Sequence, residues 1–164
     1  MVRRKEAKVT ALLVVGLSLM LCFVDIPLEK VGICRDGGFH TRITYHFFHV
    51  SLLHWFANAW CVLSLFFIYD MPMRSFLTSF AVTSLIPMCI FPAQAFVVPS
   101  VGLSGICFFL MGRVSLSVRR KIYYQIWLLS YLVIGFLFPG SNGWLHLYCY
   151  LSGVFIAFIN KPLI

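Results

Sequence analysis

Ser104 stands in Gly102-Leu103-Ser104-Gly105, at the head of an apolar run, and three histidines lie in other apolar runs at His49, His54 and His146. A serine hydroxyl is a weak nucleophile until a base takes its proton, and histidine is the usual base near neutral pH. Attack on a peptide carbonyl also needs donors for the oxyanion that forms. The Asn58 amide, the His54 imidazole and a backbone N–H beside the serine, that of Leu103, can fill that role. Four residues separate His54 from Asn58, which places them on one helical face. Asp25 and Asp70 sit at the edges of apolar runs and Asp36 lies in a polar segment, so a Ser104–His146 dyad is the most that this chain can assemble. Two small-residue spacings serve the same purpose. Gly105 and Gly112 are seven apart, and Gly153 lies seven after His146, so each pair offers a smooth face for close helix approach.

These residues need elements to carry them, and the composition says which kind. Hydrophobic residues make up 61% of the chain and charged residues 11%, with a mean hydropathy of +0.93. That balance predicts an all-α polytopic membrane protein. The net charge of +8 does not indicate nucleic acid, because the basic residues are dispersed in short clusters between apolar runs. A membrane helix takes about 20 apolar residues, and six runs qualify, near 9–26, 50–69, 74–91, 100–114, 122–139 and 143–160. The expectation is a compact bundle of six transmembrane helices forming one domain over residues 1–164. Arg3, Arg4, Lys5, Lys8, Arg74, Arg113, Arg119, Arg120, Lys121 and Lys161 then fall on one side, against Lys30, Arg35 and Arg42 on the other. By the positive-inside rule both termini are cytoplasmic, and Ser104, His146, His49 and His54 all start from the external side.

The connections add little chemistry. Residues 27–48 form the longest interruption, and Ile43-Thr44-Tyr45-His46-Phe47-Phe48 within it is amphipathic enough to lie in a membrane interface. The first apolar run follows a basic start but no small-x-small cleavage site, so it reads as an uncleaved span. The cysteines, Cys22, Cys34, Cys61, Cys89, Cys107 and Cys149, show no CxxC or disulfide spacing and read as small core residues, Cys34 apart. No His-Glu-x-x-His occurs and no convincing ligand set groups around the histidines, so neither a metal nor another cofactor is expected. Paired halves with broken helices, the mark of a transporter, are absent from the sequence.

His49-Val-Ser-Leu-Leu-His54-Trp-Phe-Ala-Asn58 has the His-x4-His-x3-Asn spacing of the rhomboid intramembrane serine proteases, and the run from Gly102-Leu103-Ser104-Gly105 through Gly112 resembles their catalytic helix. The resemblance extends from about Arg42 to Phe158. It implies Ser104 as nucleophile and His146 as general base and acid, with His54 and Asn58 as oxyanion side chains. His49 corresponds to a structural histidine, and Phe108 to an aromatic ring set against the catalytic histidine. Arg42 and Tyr45 resemble remnants of the first-loop motif. Cys149 stands where a glycine is common and Leu145 where a smaller residue is common, two changes that bear on how close Ser104 and His146 come.

The function so implied is an intramembrane serine endopeptidase. It would cleave transmembrane or membrane-anchored substrates near the external face of the bilayer of a bacterial inner membrane. The fifth run and residues 91–99 would form the lateral access. A helical carbonyl is already hydrogen-bonded, so a substrate must unwind before attack, which predicts helix-weakening residues and a small side chain at the cleaved bond. Two alternatives stand beside it. One is processing of C-terminal sorting tails, as in rhombosortases, and the other is a non-catalytic rhomboid-like protein that binds membrane helices.

Overall fold

The computed structural model describes residues 2–138 and 140–160, and its regular structure there is helical. Eight α-helices occur among the described residues: α1 Val2–Leu21, α2 Leu28–Val31, α3 Thr41–Thr44, α4 Leu52–Phe67, α5 Met73–Ser84, α6 Ser104–Val114, α7 Lys121–Leu137 and α8 Gly143–Ile159. Each of the six expected runs is represented, by α1, α4, α5, α6, α7 and α8. Lys161 and Pro139, used above for orientation and for the end of the fifth run, lie outside the described residues.

The lengths overturn the membrane architecture. No described helix is long and apolar enough to cross a membrane. The apolar helices α7 and α8 have 17 residues each, about 25 Å at the helical rise, against about 30 Å of hydrocarbon. The longer α1 has 20 residues, but its first two turns carry Arg4, Lys5, Glu6 and Lys8. The six-transmembrane bundle, its cytoplasmic termini and the placement as a multi-pass inner-membrane protein are therefore corrected. Hydropathy counts apolar residues whether or not they continue a helix, and here turns interrupt them. The third run stops as α-helix at Ser84, ahead of Pro87 and Pro92. The fourth cannot begin before Ser104, because Gly102 has φ +123°, a conformation that only glycine adopts readily.

The exterior is nonetheless strongly apolar. Leu53, Ile122 and Phe158 are each more than three-quarters exposed, and α7 presents Ile126, Trp127, Val133 and Leu137 outward. Residues 41–48 correct a second expectation. Thr41–Thr44 forms α3, and Tyr45 and His46 behind it are fully buried against protein, not laid along an interface.

α6 is the centre of the molecule, with Ile106, Phe109 and Leu110 fully buried. It packs on α8, α5 and α4, while α1 covers α4 and α5 and α7 leans mainly on α8, its Tyr124 hydroxyl also donating to the Met111 carbonyl of α6 (3.0 Å). Trp55 on α4 donates its indole N–H to Ser18 Oγ (3.0 Å) and the Val15 carbonyl (3.2 Å) of α1. Arg4 and Lys8 pair with Asp70, which takes a left-handed φ of 51° after α4.

The tightest contact is the α6–α8 crossing. A Cβ on Gly153 would fall 2.0 Å from the Phe109 carbonyl oxygen, and one on Gly112 2.3 Å from the Tyr150 carbonyl oxygen. Backbone rests on backbone here, so nothing can rotate away. Overpacking of this kind costs about 1–3 kcal/mol, and Gly153→Ala and Gly112→Ala are each expected to lower Tm by several degrees. Gly16, within α1, has no atom within 4 Å of its would-be Cβ. Gly16→Ala is expected to raise Tm, since glycine in a helix costs about 1 kcal/mol relative to alanine. Thermal unfolding of the three variants checks this, and equal Tm values would contradict the crossing.

Candidate active site

The sequence of residues 100–104 forces a sharp change of direction. Gly102 donates its N–H to the Tyr45 carbonyl (2.7 Å) and takes the positive φ that turns the chain into α6. Ser104 is then the first helical residue, so its N–H and those of the rest of the first turn have no intrahelical acceptor. A nucleophile at that position stands beside free donors and the positive end of the helix dipole.

His146 comes to Ser104 from the first turn of α8. Asn142 caps that helix, accepting from the Leu145 N–H on Oδ1 (3.0 Å) and from the His146 N–H on its carbonyl (3.1 Å). Its amide donates the other way, to the Ala95 carbonyl (2.7 Å) and Ser100 Oγ (3.0 Å). One side chain thus ties the start of α8 to the segment leading into α6. Ser104 Oγ lies 2.9 Å from His146 Nε2, with both residues partly exposed. Phe108, one turn after the serine, stacks on the imidazole with centroids 4.4 Å apart and planes at 20°. Cys149 and Leu145 are buried and do not hold the pair apart. The Cys149 Sγ instead lies 3.4 Å from where a Cβ on Gly105 would be, beside the Tyr45 hydroxyl at 3.2 Å.

α4 brings the remaining groups. Ser51 caps it by accepting the His54 N–H (3.1 Å), which fixes the turn on which His54 sits, and Asn58 follows one turn later. A Cβ on Gly102 would meet His54 Cε1 at 2.8 Å, His54 Nε2 at 3.0 Å and Asn58 Nδ2 at 3.1 Å. The two side chains therefore converge on the backbone just before Ser104. Asn58 is buried, and its Nδ2 has no hydrogen-bond partner among the described residues. An unsatisfied buried amide donor is costly unless something is to occupy its place.

His49 and Leu103 take parts different from the simplest reading of their positions. The Leu103 N–H, expected to face an oxyanion, donates to His49 Nε2 (3.3 Å), so the backbone donor left at this point is that of Ser104. His49 is buried, its ring 5.1 Å from that of His54 in an edge-on arrangement, and it holds the residue before the nucleophile. Gly153 acts at a distance, through the crossing that sets the two helices together.

Burial also sets protonation. Desolvation of the imidazole, with His54 as a second contribution, lowers the His146 pKa from the ordinary 6.5 to about 4. Desolvation, again with His54, lowers His49 to about 4, and burial alone lowers His54. A neutral His146 whose Nε2 accepts from Ser104 is the form a general base requires. Three groups gave no functional signal in the sequence. His46 is fully buried, its Nε2 3.1 Å from Ser84 Oγ, and burial lowers its pKa to about 3. Asn142, which the sequence offers only as part of a short connection, is both the cap of α8 and its tether to Ala95 and Ser100. Cys107 contacts Asn58, which no spacing rule predicts. Among the described residues no cluster of three or more His, Cys, Asp or Glu side chains is placed to hold a metal ion.

No family model matches the chain, and no curated protein matches it either.

Two predictions follow from the geometry. Asn142→Ala removes the α8 cap and both tethering bonds, and is expected to destabilise by about 1–2 kcal/mol. Asn142→Ser restores a capping oxygen and is expected to recover only part of that loss. An unchanged Tm in Asn142→Ala would contradict the tether. The second concerns pH. The folded pKa values of His46, His49 and His146 lie below the unfolded value, so the unfolded chain binds more protons between about pH 6.5 and 4. Their neutral burial therefore stabilises fully above pH 6.5, and that contribution is lost progressively as pH falls toward 4. Thermal unfolding against pH is expected to show a falling Tm across that window, made shallower by His46→Gln.

Proposed function

We propose that this chain is a rhomboid-type serine endopeptidase that works through a Ser104–His146 dyad. The observation that carries the reading is the 2.9 Å contact between Ser104 Oγ and His146 Nε2, on a serine flanked by converging donors. Ser104 attacks the carbonyl carbon of a peptide bond while its proton passes to His146 Nε2. The carbonyl oxygen, now negative, is met by the Ser104 N–H, by Asn58 Nδ2 and by a His54 N–H. His146 then gives its proton to the departing amine. Water, activated in turn by His146, hydrolyses the acyl-enzyme and regenerates Ser104.

The resemblance of His49–Asn58 and Gly102–Gly112 to rhomboid motifs supports the same reaction class. The surroundings support a substrate with an apolar segment. Ile90, Val97 and Val98 are exposed on the segment before Gly102, and α7, whose Gly135 lies against His146, is apolar on its outer face. The substrate class we assign is therefore the hydrophobic helices of membrane-associated proteins, locally unwound so that a carbonyl is free.

A fluorophosphonate probe tests this. Ser104→Ala is expected to abolish labelling of the purified protein, and His146→Ala to slow it by about 1000-fold or more. His54→Ala and Asn58→Ala are each expected to slow it by roughly 10- to 1000-fold. Labelling that survives in Ser104→Ala, or fails in the wild type, overturns the assignment.

A further inference from the structure

Arg113 is a buried charge without an opposite. It lies in the last turn of α6 and is only 7% exposed, yet its guanidinium has no hydrogen-bond or ion-pair partner among the described residues. A buried cation is costly unless it is paired. The charge that faces it has the same sign. Near the end of α5, Thr83 Cγ2 lies 3.6 Å from where a Cβ on Gly105 would be, at the start of α6, so the two packed helices run in opposite directions. Arg74 is nine residues back along α5 and Arg113 eight residues on along α6. At the helical rise both lie about 12–14 Å from that contact, and they come level at the far end of the helix pair. Burial, and after it the Arg74 charge, lowers the Arg113 pKa.

The carboxylates at this end do not answer the two arginines. Asp70, four residues before Arg74, is held by Arg4 and Lys8 of α1. Glu6 on α1 is exposed and makes no ion pair among the described residues. The backbone adds further positive character. Arg74 is the second residue of α5, whose N-cap is Pro72, and no side chain caps that end. The N–H groups of Met73 and Arg74 therefore lack intrahelical acceptors, and the positive end of the helix dipole joins the two guanidinium charges. Ser75, the next residue, is fully buried, and its Oγ has no partner among the described residues.

We propose that Arg113, Arg74 and the first turn of α5 form a binding site for a phosphate group. A guanidinium presents paired N–H donors that match two oxygens of one phosphate, and a helix N-terminus supplies main-chain N–H groups to the others. A phosphate dianion neutralises both arginines at once, whereas a carboxylate leaves one of them unpaired. Free phosphate and the headgroup of a phospholipid share this chemistry. Ile68, Tyr69 and Leu77 are exposed nearby in sequence, which gives an acyl chain apolar surface to follow. The site lies at the opposite end of α6 from Ser104 and does not depend on the hydrolase reading.

Thermal unfolding of the purified protein tests it in two arms. Inorganic phosphate against chloride at equal ionic strength reads the free ion. Phosphatidylglycerol against diacylglycerol in mixed micelles reads the headgroup, since diacylglycerol lacks the phosphate. At least one arm is expected to raise the wild-type Tm by about 2–8 °C at saturation. Arg113→Gln and Arg74→Gln are each expected to abolish that rise. Arg120→Gln, at an exposed cation just before α7, is expected to keep it. If Arg113→Gln fails to fold, Arg74→Gln carries the test, because Arg74 is exposed. A rise with inorganic phosphate assigns the site to the free ion, and a rise with phosphatidylglycerol alone assigns it to the headgroup. No rise in either arm, or a rise of wild-type size in either arginine variant, overturns the proposal.

Discussion

The contact of α6 with α8 is made by main chain on main chain, and the rest of the site hangs from it. At Gly112 and Gly153 there is no room for even a methyl group, because carbonyl oxygens of the opposing helix occupy the space. Interiors packed to this density do not deform continuously. The two helices therefore have one separation, and the residues near their upper ends inherit it. Ser104 on α6 and His146 on α8 lie about one to two turns from the crossing, and their 2.9 Å contact depends on it. Phe108 stacked on the imidazole then limits the ring's rotation.

Around that pair the structure uses polar side chains to fix irregular backbone. Tyr45 accepts the Gly102 N–H on its carbonyl and donates its hydroxyl to the Thr83 carbonyl (2.8 Å), joining the end of α5 to the turn before the nucleophile. Arg42 donates to the Ile86 carbonyl beyond α5 (2.6 Å). Ile33 and Ser100 exchange backbone hydrogen bonds across the same region. Asn142 completes the ring from the α8 side. Each bond satisfies a buried or half-buried carbonyl or amide that a turn would leave open, and together they hold a glycine in a conformation that no other residue would accept.

Hydropathy located the elements well and measured them badly. All six apolar runs contain a helix. The lengths differ because an apolar residue beyond a proline or a left-handed glycine still counts toward a run but no longer extends a helix. Val97 and Val98 are apolar and exposed, yet they belong to the connection before α6 rather than to a span. Residues 43–48 show the converse. Their alternation suggested an interface-seeking surface, whereas Tyr45 and His46 are turned inward because α5 and the turn at Gly102 offer their polar atoms partners.

The identities and spacing of Ser104, His146, His54, Asn58, Gly102, Gly112 and Gly153 were in the chain as written, since residue chemistry and the 3.6-residue period are local properties. Helical class and the order of the elements were legible for the same reason. Distances were not. That Cys149 leaves Ser104 within reach of His146, that His49 takes the Leu103 N–H, and that Cys107 faces Asn58 all depend on contacts between helices far apart in sequence. Such contacts follow from how whole faces pack and from which buried polar atoms must find partners, and no window along a single chain contains that information.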